Sequence, residues 1–271
     1  LVVQGDTNTV AAGALAAVKL NIPVAHVEAG LRSYDRSMPE EINRILADRL
    51  ADMLFAPTGI AADNLITEGT AQDKIHITGN TIVDVIGKNL PLAEKKNVLK
   101  RYNINPGEYI LVTVHRQENT DDSERLQNII RGIATAGKLT GTRVIYPAHP
   151  RTVKMLQEFK IEIPAQVEIY EPIDYFSFLK LEKEAALIMT DSGGVQEEAC
   201  ILGVSCVTLR ENTERPETLE IGANILSGTD ADTISEIAVG MITDRNRFWQ
   251  HPYGDGNSGS RIADIVTEYL G

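Results

Sequence analysis

Cysteine is scarce. Cys200 and Cys206 are the only two thiols in 271 residues, too few for the disulfide framework that holds small secreted domains together. One falls in a helix-like stretch and the other in a strand-like one. Both are read as small core residues, and the cytoplasm, a reducing compartment, is the expected location. No apolar run approaches the ~18 residues a membrane helix needs, so no spanning role is expected. Basic residues are outnumbered, 26 Lys and Arg against 38 Asp and Glu, for a formal net charge of −12. Without a Lys/Arg cluster, that balance argues against nonspecific nucleic-acid binding and against adhesion to acidic membranes. An anionic ligand would be held by a few local groups, helix N-termini and single Arg or His side chains, working against the global field. His-Glu-x-x-His and paired-Cys spacings are also missing, so no metal site is expected. Fixed-period repeats and low-complexity tracts, the marks of a solenoid, are absent as well.

What the chain does have is alternation of strand-like and helix-like runs. Apolar runs at 1–3, 24–27, 53–56 and 75–78 are separated by helical patterns at 9–20, 40–50 and 59–68. A second series places strands at 109–114, 143–146, 167–169, 186–189 and 205–209, with helices at 123–139, 152–159, 175–182 and 194–202, and ends in a polar loop. The strand runs are apolar on both faces, as helix-covered parallel sheets require, so the fold class is α/β with two doubly wound, Rossmann-like domains facing a cleft. Pro91, the Lys95-Lys96 pair and Asn105-Pro106-Gly107 mark a junction. The expected domains are 1–87, with a C-terminal helix near 258–271 packing back on it, and 88–257. Leu1-Val2-Val3 resembles the inside of a strand, so the first domain is expected to be truncated, with a natural N-terminal part preceding it.

In doubly wound sheets ligands sit at the carboxyl ends of strands, and five strand ends here carry unusual polar residues. They are Gln4-Gly5-Asp6-Thr7, His26-Val27-Glu28-Ala29-Gly30, His115-Arg116, His149-Pro150-Arg151 and Asp191-Ser192-Gly193-Gly194. The last says most. Small residues opening a helix let backbone N–H groups approach an anion at the positive end of the helix dipole, and Glu198, one turn on, could reach a ribose hydroxyl. Alone, the segment reads equally well as a tight turn with Ser192 as N-cap.

Asp6 and Glu28 are the candidate acid and base, because paired carboxylates can be pushed to different pKa values; an N-cap is the plain alternative for Asp6. Glu40 follows Pro39 at a helix start, where a surface ion pair with Arg44, four residues on, is the competing role. Arg215, in the loop after the next strand, has the planar fork that clamps a phosphate, or else is a solvated loop arginine. Several motifs fail. Gly254-Asp255-Gly256-Asn257-Ser258-Gly259 fits the dinucleotide pattern but follows no strand and reads as a flexible loop. No Tyr is followed four residues later by Lys, so the Tyr/Lys pair of short-chain dehydrogenases is missing. His26 and His76, flanked by apolar residues, read as core or edge histidines.

Taken in order, Gln4-Gly5-Asp6-Thr7, His26-Val27-Glu28-Ala29-Gly30-Leu31-Arg32, Pro39-Glu40-Glu41-Ile42-Asn43-Arg44, Thr113-Val114-His115-Arg116-Gln117-Glu118-Asn119, Asp191-Ser192-Gly193-Gly194 and Glu214-Arg215-Pro216-Glu217 resemble the non-hydrolysing UDP-N-acetylglucosamine 2-epimerases across nearly the whole chain. The resemblance implies a GT-B-like fold with UDP on the C-terminal domain, interconversion of UDP-GlcNAc and UDP-ManNAc through a 2-acetamidoglucal, and no cofactor. It implies Asp6, Glu28 and Glu40 as the elimination and proton-transfer carboxylates and His115 at the departing diphosphate. Ser192, Gly193 and Gly194 would bind the phosphates, Glu198 the ribose, and Arg215 the nucleotide or diphosphate. Arg116 and His149 match positions implicated in allosteric activation by a second UDP-GlcNAc, and a homodimer is implied. The family's N-terminal Gly-Thr-Arg-Pro-Glu loop has no counterpart here. Other readings are a hydrolysing 2-epimerase, a GT-B glycosyltransferase, or a non-catalytic nucleotide-sugar binder.

Overall fold

Strands buried on both faces need helices on both sides, and the packing of each sheet meets that demand. The structure, a computed structural model, describes residues 1–244 and 248–271. The chain divides into two compact units, residues 1–88 with 252–271, and residues 89–251. The chain returns to the first unit at Pro252, ahead of the C-terminal helix.

The first unit runs β1 (Val2–Gln4), α1 (Asn8–Lys19), β2 (Ala25–Val27), α2 (Pro39–Leu50), β3 (Met53–Ala56), α3 (Gly59–Thr67), β4 (Ile75–Ile77) and α4 (Thr81–Ala93), whose last turn lies beyond the division. Its four parallel strands lie side by side in chain order. On one face Val3, Val24 and Leu54 pack against Val10, Ala14 and Ala17 of α1, Ala47 of α2 and Leu65 of α3. Alanines at the contact let α1 and α2 lie close to the sheet. On the other face Ala25, Val27, Met53 and Phe55 receive Ile262, Ile265 and Val266 from the C-terminal helix, Ser258–Leu270. Thr7 and Thr58 cap α1 and α3 by accepting from Val10 N and Ala61 N, and Pro39 starts α2 with its φ already set. After β2 the chain needs glycine: Gly30 has φ +81°, and a Cβ there would lie 2.1 Å from the Ala61 carbonyl oxygen.

The second unit contains α5 (Val98–Tyr102), β5 (Tyr109–Thr113), α6 (Gln117–Thr120), α7 (Ser123–Thr140), β6 (Arg143–Pro147), α8 (Pro150–Glu158), β7 (Val167–Tyr170), α9 (Tyr175–Glu184), β8 (Leu187–Thr190), α10 (Gly193–Leu202), β9 (Cys206–Thr208), α11 (Pro216–Glu220), β10 (Asn224–Leu226) and α12 (Ala231–Thr243). The C-terminal helix is α13. The polar loop expected after β9 lies at residues 209–215, and the chain continues beyond it through α11, β10 and α12. The six parallel strands lie in the order β10-β9-β8-β5-β6-β7. The chain winds outward from β5 to β7, comes back to β8, and winds outward the other way. Loops leaving β5 and β8 therefore diverge, and the crevice between them is where such sheets bind ligands. One face packs on α7, α8 and α12 through Ile110, Val112, Tyr146, Leu187, Met189 and Val207. The other packs on α5, α9 and α10 through Tyr109, Leu111, Ile145, Ile188 and Cys206.

Candidate active site

At the winding reversal Thr113 of β5 stands in register with Thr190 of β8, their hydroxyls 2.6 Å apart. One residue further, Asp191 turns into the protein and is fully buried. A buried carboxylate is tolerable only where donors surround it, and here His115 N (3.1 Å), Arg116 N (3.0 Å) and Asn119 Nδ2 (3.1 Å) all donate to it. The loop after β5 is thus wrapped around the end of β8. Two further bonds hold its start, as Tyr146 Oη and Thr152 Oγ1 both donate to the Val114 carbonyl. The His115 ring is half exposed, with Nδ1 3.2 Å from Asp191 Oδ1. The hydrogen bond and charge of Asp191 hold the imidazole pKa above its ordinary value, against the opposing pull of burial.

Ser192 occupies the N-cap position of α10, but its hydroxyl makes no capping bond. The capped-turn reading therefore lacks its hydrogen bond. Ser192 N donates to Thr190 Oγ1 at 2.9 Å. Gly193 and Gly194 follow as the first helical residues, where amides have no intrahelical acceptor and the dipole is positive. The two glycines are there for different reasons. A Cβ on Gly193 would lie 2.4 Å from Glu214 Oε1, whereas one on Gly194 would meet nothing within 4 Å. Gly193 lets a neighbouring carboxylate in, and Gly194 leaves the helix end open.

Arg215, sought as a phosphate clamp, is buried and turned toward carboxylates: its Nε lies 2.5 Å from Glu197 Oε1 and its Nη1 3.8 Å from Glu214 Oε1. Arg210 and Arg116 also pair with Glu214, at 3.0 and 3.5 Å, and Arg116 Nε donates to the Asp191 carbonyl. Glu198 is buried beneath the same helix and accepts from Tyr175 Oη at 3.2 Å. It faces Glu182, which is wholly buried on α9, and burial raises the pKa of both carboxyls, that of Glu182 further through the charge of Glu198. The roles of Glu197, Glu214 and Glu182, and the buried, donor-gathering role of Asp191 within its strand-end motif, were not legible, since their partners lie on other elements.

Beside His115 a cavity of about 390 Å³ opens at the ends of β5, β6 and β7. Val114, Pro147, Pro172, Ile173 and Phe178 give it apolar walls, and His115, His149 and Arg151 its polar groups. That volume and lining suit a flat ring. His149 caps α8, with Nδ1 accepting from Arg151 N at 3.2 Å.

In the first unit Asp6 and Glu28 stand at the ends of the adjacent strands β1 and β2. Gln4 Nε2 donates to Glu28 Oε1 at 2.8 Å. Glu28 has φ +68°, a left-handed conformation that a glutamate adopts only at a cost. Asp6 pairs with Arg44 of α2. The ion pair anticipated between Glu40 and Arg44 is corrected: Arg44 is taken by Asp6 and by Glu41, 2.9 Å away. Glu41, not Glu40, is the buried member of the pair of glutamates, accepting from Ser33 N, Ser33 Oγ and Tyr34 N. Glu40 is half-buried on the first turn of α2. The cap anticipated for Asp6 belongs to Thr7.

Among the described residues no helix is long and apolar enough to cross a membrane. The family model described as UDP-N-acetylglucosamine 2-epimerase matches residues 1–267. The chain is 54% identical to the UDP-N-acetylglucosamine 2-epimerase of Methanocaldococcus jannaschii, covering 98% of this chain and 75% of the relative. The crystal structure of the Methanocaldococcus jannaschii UDP-GlcNAc 2-epimerase in complex with UDP-GlcNAc and UDP is similar at a TM-score of 0.92, with 54% identity and the same two shares of 98% and 75%. A more distant relative, 38% identical over 99% of this chain and 74% of its own, is the UDP-2,3-diacetamido-2,3-dideoxy-D-glucuronate 2-epimerase of Pseudomonas aeruginosa. With a family model spanning all but its last few residues, and with the strand order and polar strand ends described above, the chain belongs to the UDP-N-acetylglucosamine 2-epimerase family.

Proposed function

We propose that the protein interconverts UDP-GlcNAc and UDP-ManNAc by inverting C2 of the sugar. The observation that carries the reading is the winding reversal of the second unit, which brings the open N-terminus of α10 beside His115 and the apolar cavity. These are the requirements of a nucleoside diphosphate: a flat base, a ribose and two phosphates. Phosphate oxygens take the first-turn amides of α10 and the Ser192 hydroxyl. The base enters the cavity, Glu198 takes ribose hydroxyls, and Arg215 fixes the helix end through Glu197 and Glu214.

The C2 hydrogen is not acidic on its own. A base removes it while the C1–O bond breaks, so the C–H electron pair becomes the C1=C2 double bond of a 2-acetamidoglucal and the bond to oxygen leaves with UDP. The reverse steps deliver a proton to the opposite face of C2 and return the diphosphate oxygen to C1. Asp6, Glu28 and Glu40 are the proton-transfer carboxylates of this reading. His115, held as a cation by Asp191 at higher pH than an ordinary histidine, faces charge developing on the departing diphosphate. Arg116 and His149 are the residues assigned to a second, activating UDP-GlcNAc, and a homodimer is the expected assembly. The buried free thiols Cys200 and Cys206 support a reducing compartment, the cytoplasm.

Turnover of UDP-GlcNAc by the full-length protein in D2O tests the reading. Deuterium is expected at C2 of both recovered substrate and product, and protium retained through turnover would overturn it. Free UDP accumulating with ManNAc would identify a hydrolysing enzyme. Turnover of the diacetamido-glucuronate nucleotide alone would move the substrate to that of the Pseudomonas aeruginosa relative.

A further inference from the structure

His26 takes no part in the proposed chemistry, yet it is a fully buried titratable side chain directly beneath the loop that carries Asp6. Its two ring nitrogens have unlike surroundings with one common demand. Nε2 lies 2.9 Å from the Gly5 carbonyl oxygen, which can only accept, so Nε2 must carry a hydrogen. Nδ1 lies 2.7 Å from Asp48 Oδ1. The other oxygen of Asp48 takes the Arg32 guanidinium at 2.7 Å and Gly30 N at 3.2 Å, an arrangement of donors that suits a carboxylate, so Nδ1 carries a hydrogen too. Arg32 in turn is paired with Glu68 through two bonds of 2.7 Å. The signs alternate along the row, cation at His26, anion at Asp48, cation at Arg32 and anion at Glu68.

We propose that His26 is a permanent imidazolium that positions the Gly5–Asp6 loop, and with it the Asp6 carboxylate, for proton transfer. This rests on the role given to Asp6 above. The loop is otherwise a short stretch of irregular backbone between β1 and α1, with Gly5 at φ +78°. It is pinned from three sides: His26 donates to the Gly5 carbonyl, Asn43 Nδ2 donates to the Asp6 carbonyl at 3.0 Å, and Arg44 pairs with the Asp6 carboxylate. His26 holds the loop from within the sheet. The charged groups facing it are Asp48 from α2 and Glu28 at the end of its own strand, with Arg32 behind Asp48. Burial alone would discharge the ring, and the bonds to Asp48 and Gly5 outweigh it.

Two measurements decide this. Nitrogen-15 NMR of histidine-labelled protein is expected to show His26 still doubly protonated at a pH where an ordinary histidine, of value ~6.5, has lost its proton; a neutral-ring signature there overturns the imidazolium. His26→Gln, checked for folding by circular dichroism, is expected to lower kcat by on the order of 10- to 100-fold, with UDP affinity and KM little changed, as a displaced catalytic group does. Unchanged kcat in the folded variant overturns the positioning role. If His26→Gln does not fold, the NMR result on the unsubstituted protein still decides the charge state. Full turnover by Asp6→Asn would instead remove the role of Asp6, while leaving the His26 signature where it is.

Discussion

Both units place their polar groups at the carboxyl ends of parallel strands, yet they hold charge in opposite ways. In the first, carboxylates after β1 and on α2 are fixed by cations inside the protein, Asp6 and Glu41 by Arg44, and Asp48 by His26 and Arg32. In the second, the buried carboxylates do the fixing: Asp191 gathers His115, Arg116 and Asn119, while Glu214 gathers Arg210, Arg116 and Arg215. The first arrangement presents anions suited to moving protons. The second presents N–H groups and cations suited to receiving a diphosphate. A common sheet geometry decides where chemistry sits, and the sign of the inner layer decides which chemistry it is.

The comparison breaks most visibly at the carboxylates. Glu28→Gln is expected to reduce epimerisation by roughly 10²- to 10⁴-fold, the usual worth of a general acid or base, with UDP affinity by calorimetry nearly unchanged. Equal losses in turnover and UDP binding would mean that the first unit serves binding after all. A smaller, inverse effect is expected from Gly193→Ala. The new methyl would lie 2.4 Å from Glu214 Oε1, so the variant should lose about 1–3 kcal/mol in urea unfolding and bind UDP more weakly. Gly194→Ala, with open space around its Cβ, should unfold like the parent.

The smallest effect is a shift along the pH axis. Because the folded-state pKa of His115 is raised, the stabilising bond to Asp191 is fully present below the unfolded value of ~6.5 and is lost as pH rises through the folded value. Activity that needs the imidazolium should fall over that same rise. Asp191→Asn removes the charge that raises the pKa, so the descending limb of the kcat profile should move to lower pH; an unmoved limb would assign it to another group.

The strands were legible because apolar residues on both faces leave a contiguous run, and Met53–Ala56 matches the expected span residue for residue. The helix α12 was not read, although Asp230 at its N-cap and Ile234, Ala238 and Met241 at helical spacing carried the signal. The three-residue strand β10 lies between Gly222 and Gly228 and is too short for periodicity. In α4, Gly87 and Pro91 conceal the helix among breaker residues. The strand-end motifs put the candidate residues in view, but their partners were out of reach of local reading. His26 meets Asp48 across 22 positions, and Asp191 meets the His115 backbone across 76. The partner of Arg44 turned on helix phase, which sequence leaves open by one residue: Arg44 bonds three positions back, to Glu41, rather than four.

The course of α13 has a consequence for synthesis. Ile262, Ile265 and Val266 complete the packing against Ala25, Val27, Met53 and Phe55, so one side of the first sheet stays bare until the last helix has left the ribosome. Domains generally fold in the order they emerge. Here the later unit, residues 89–251, precedes in the chain the helix that completes the earlier one, so the second unit can finish its core while the first still waits for one of its layers.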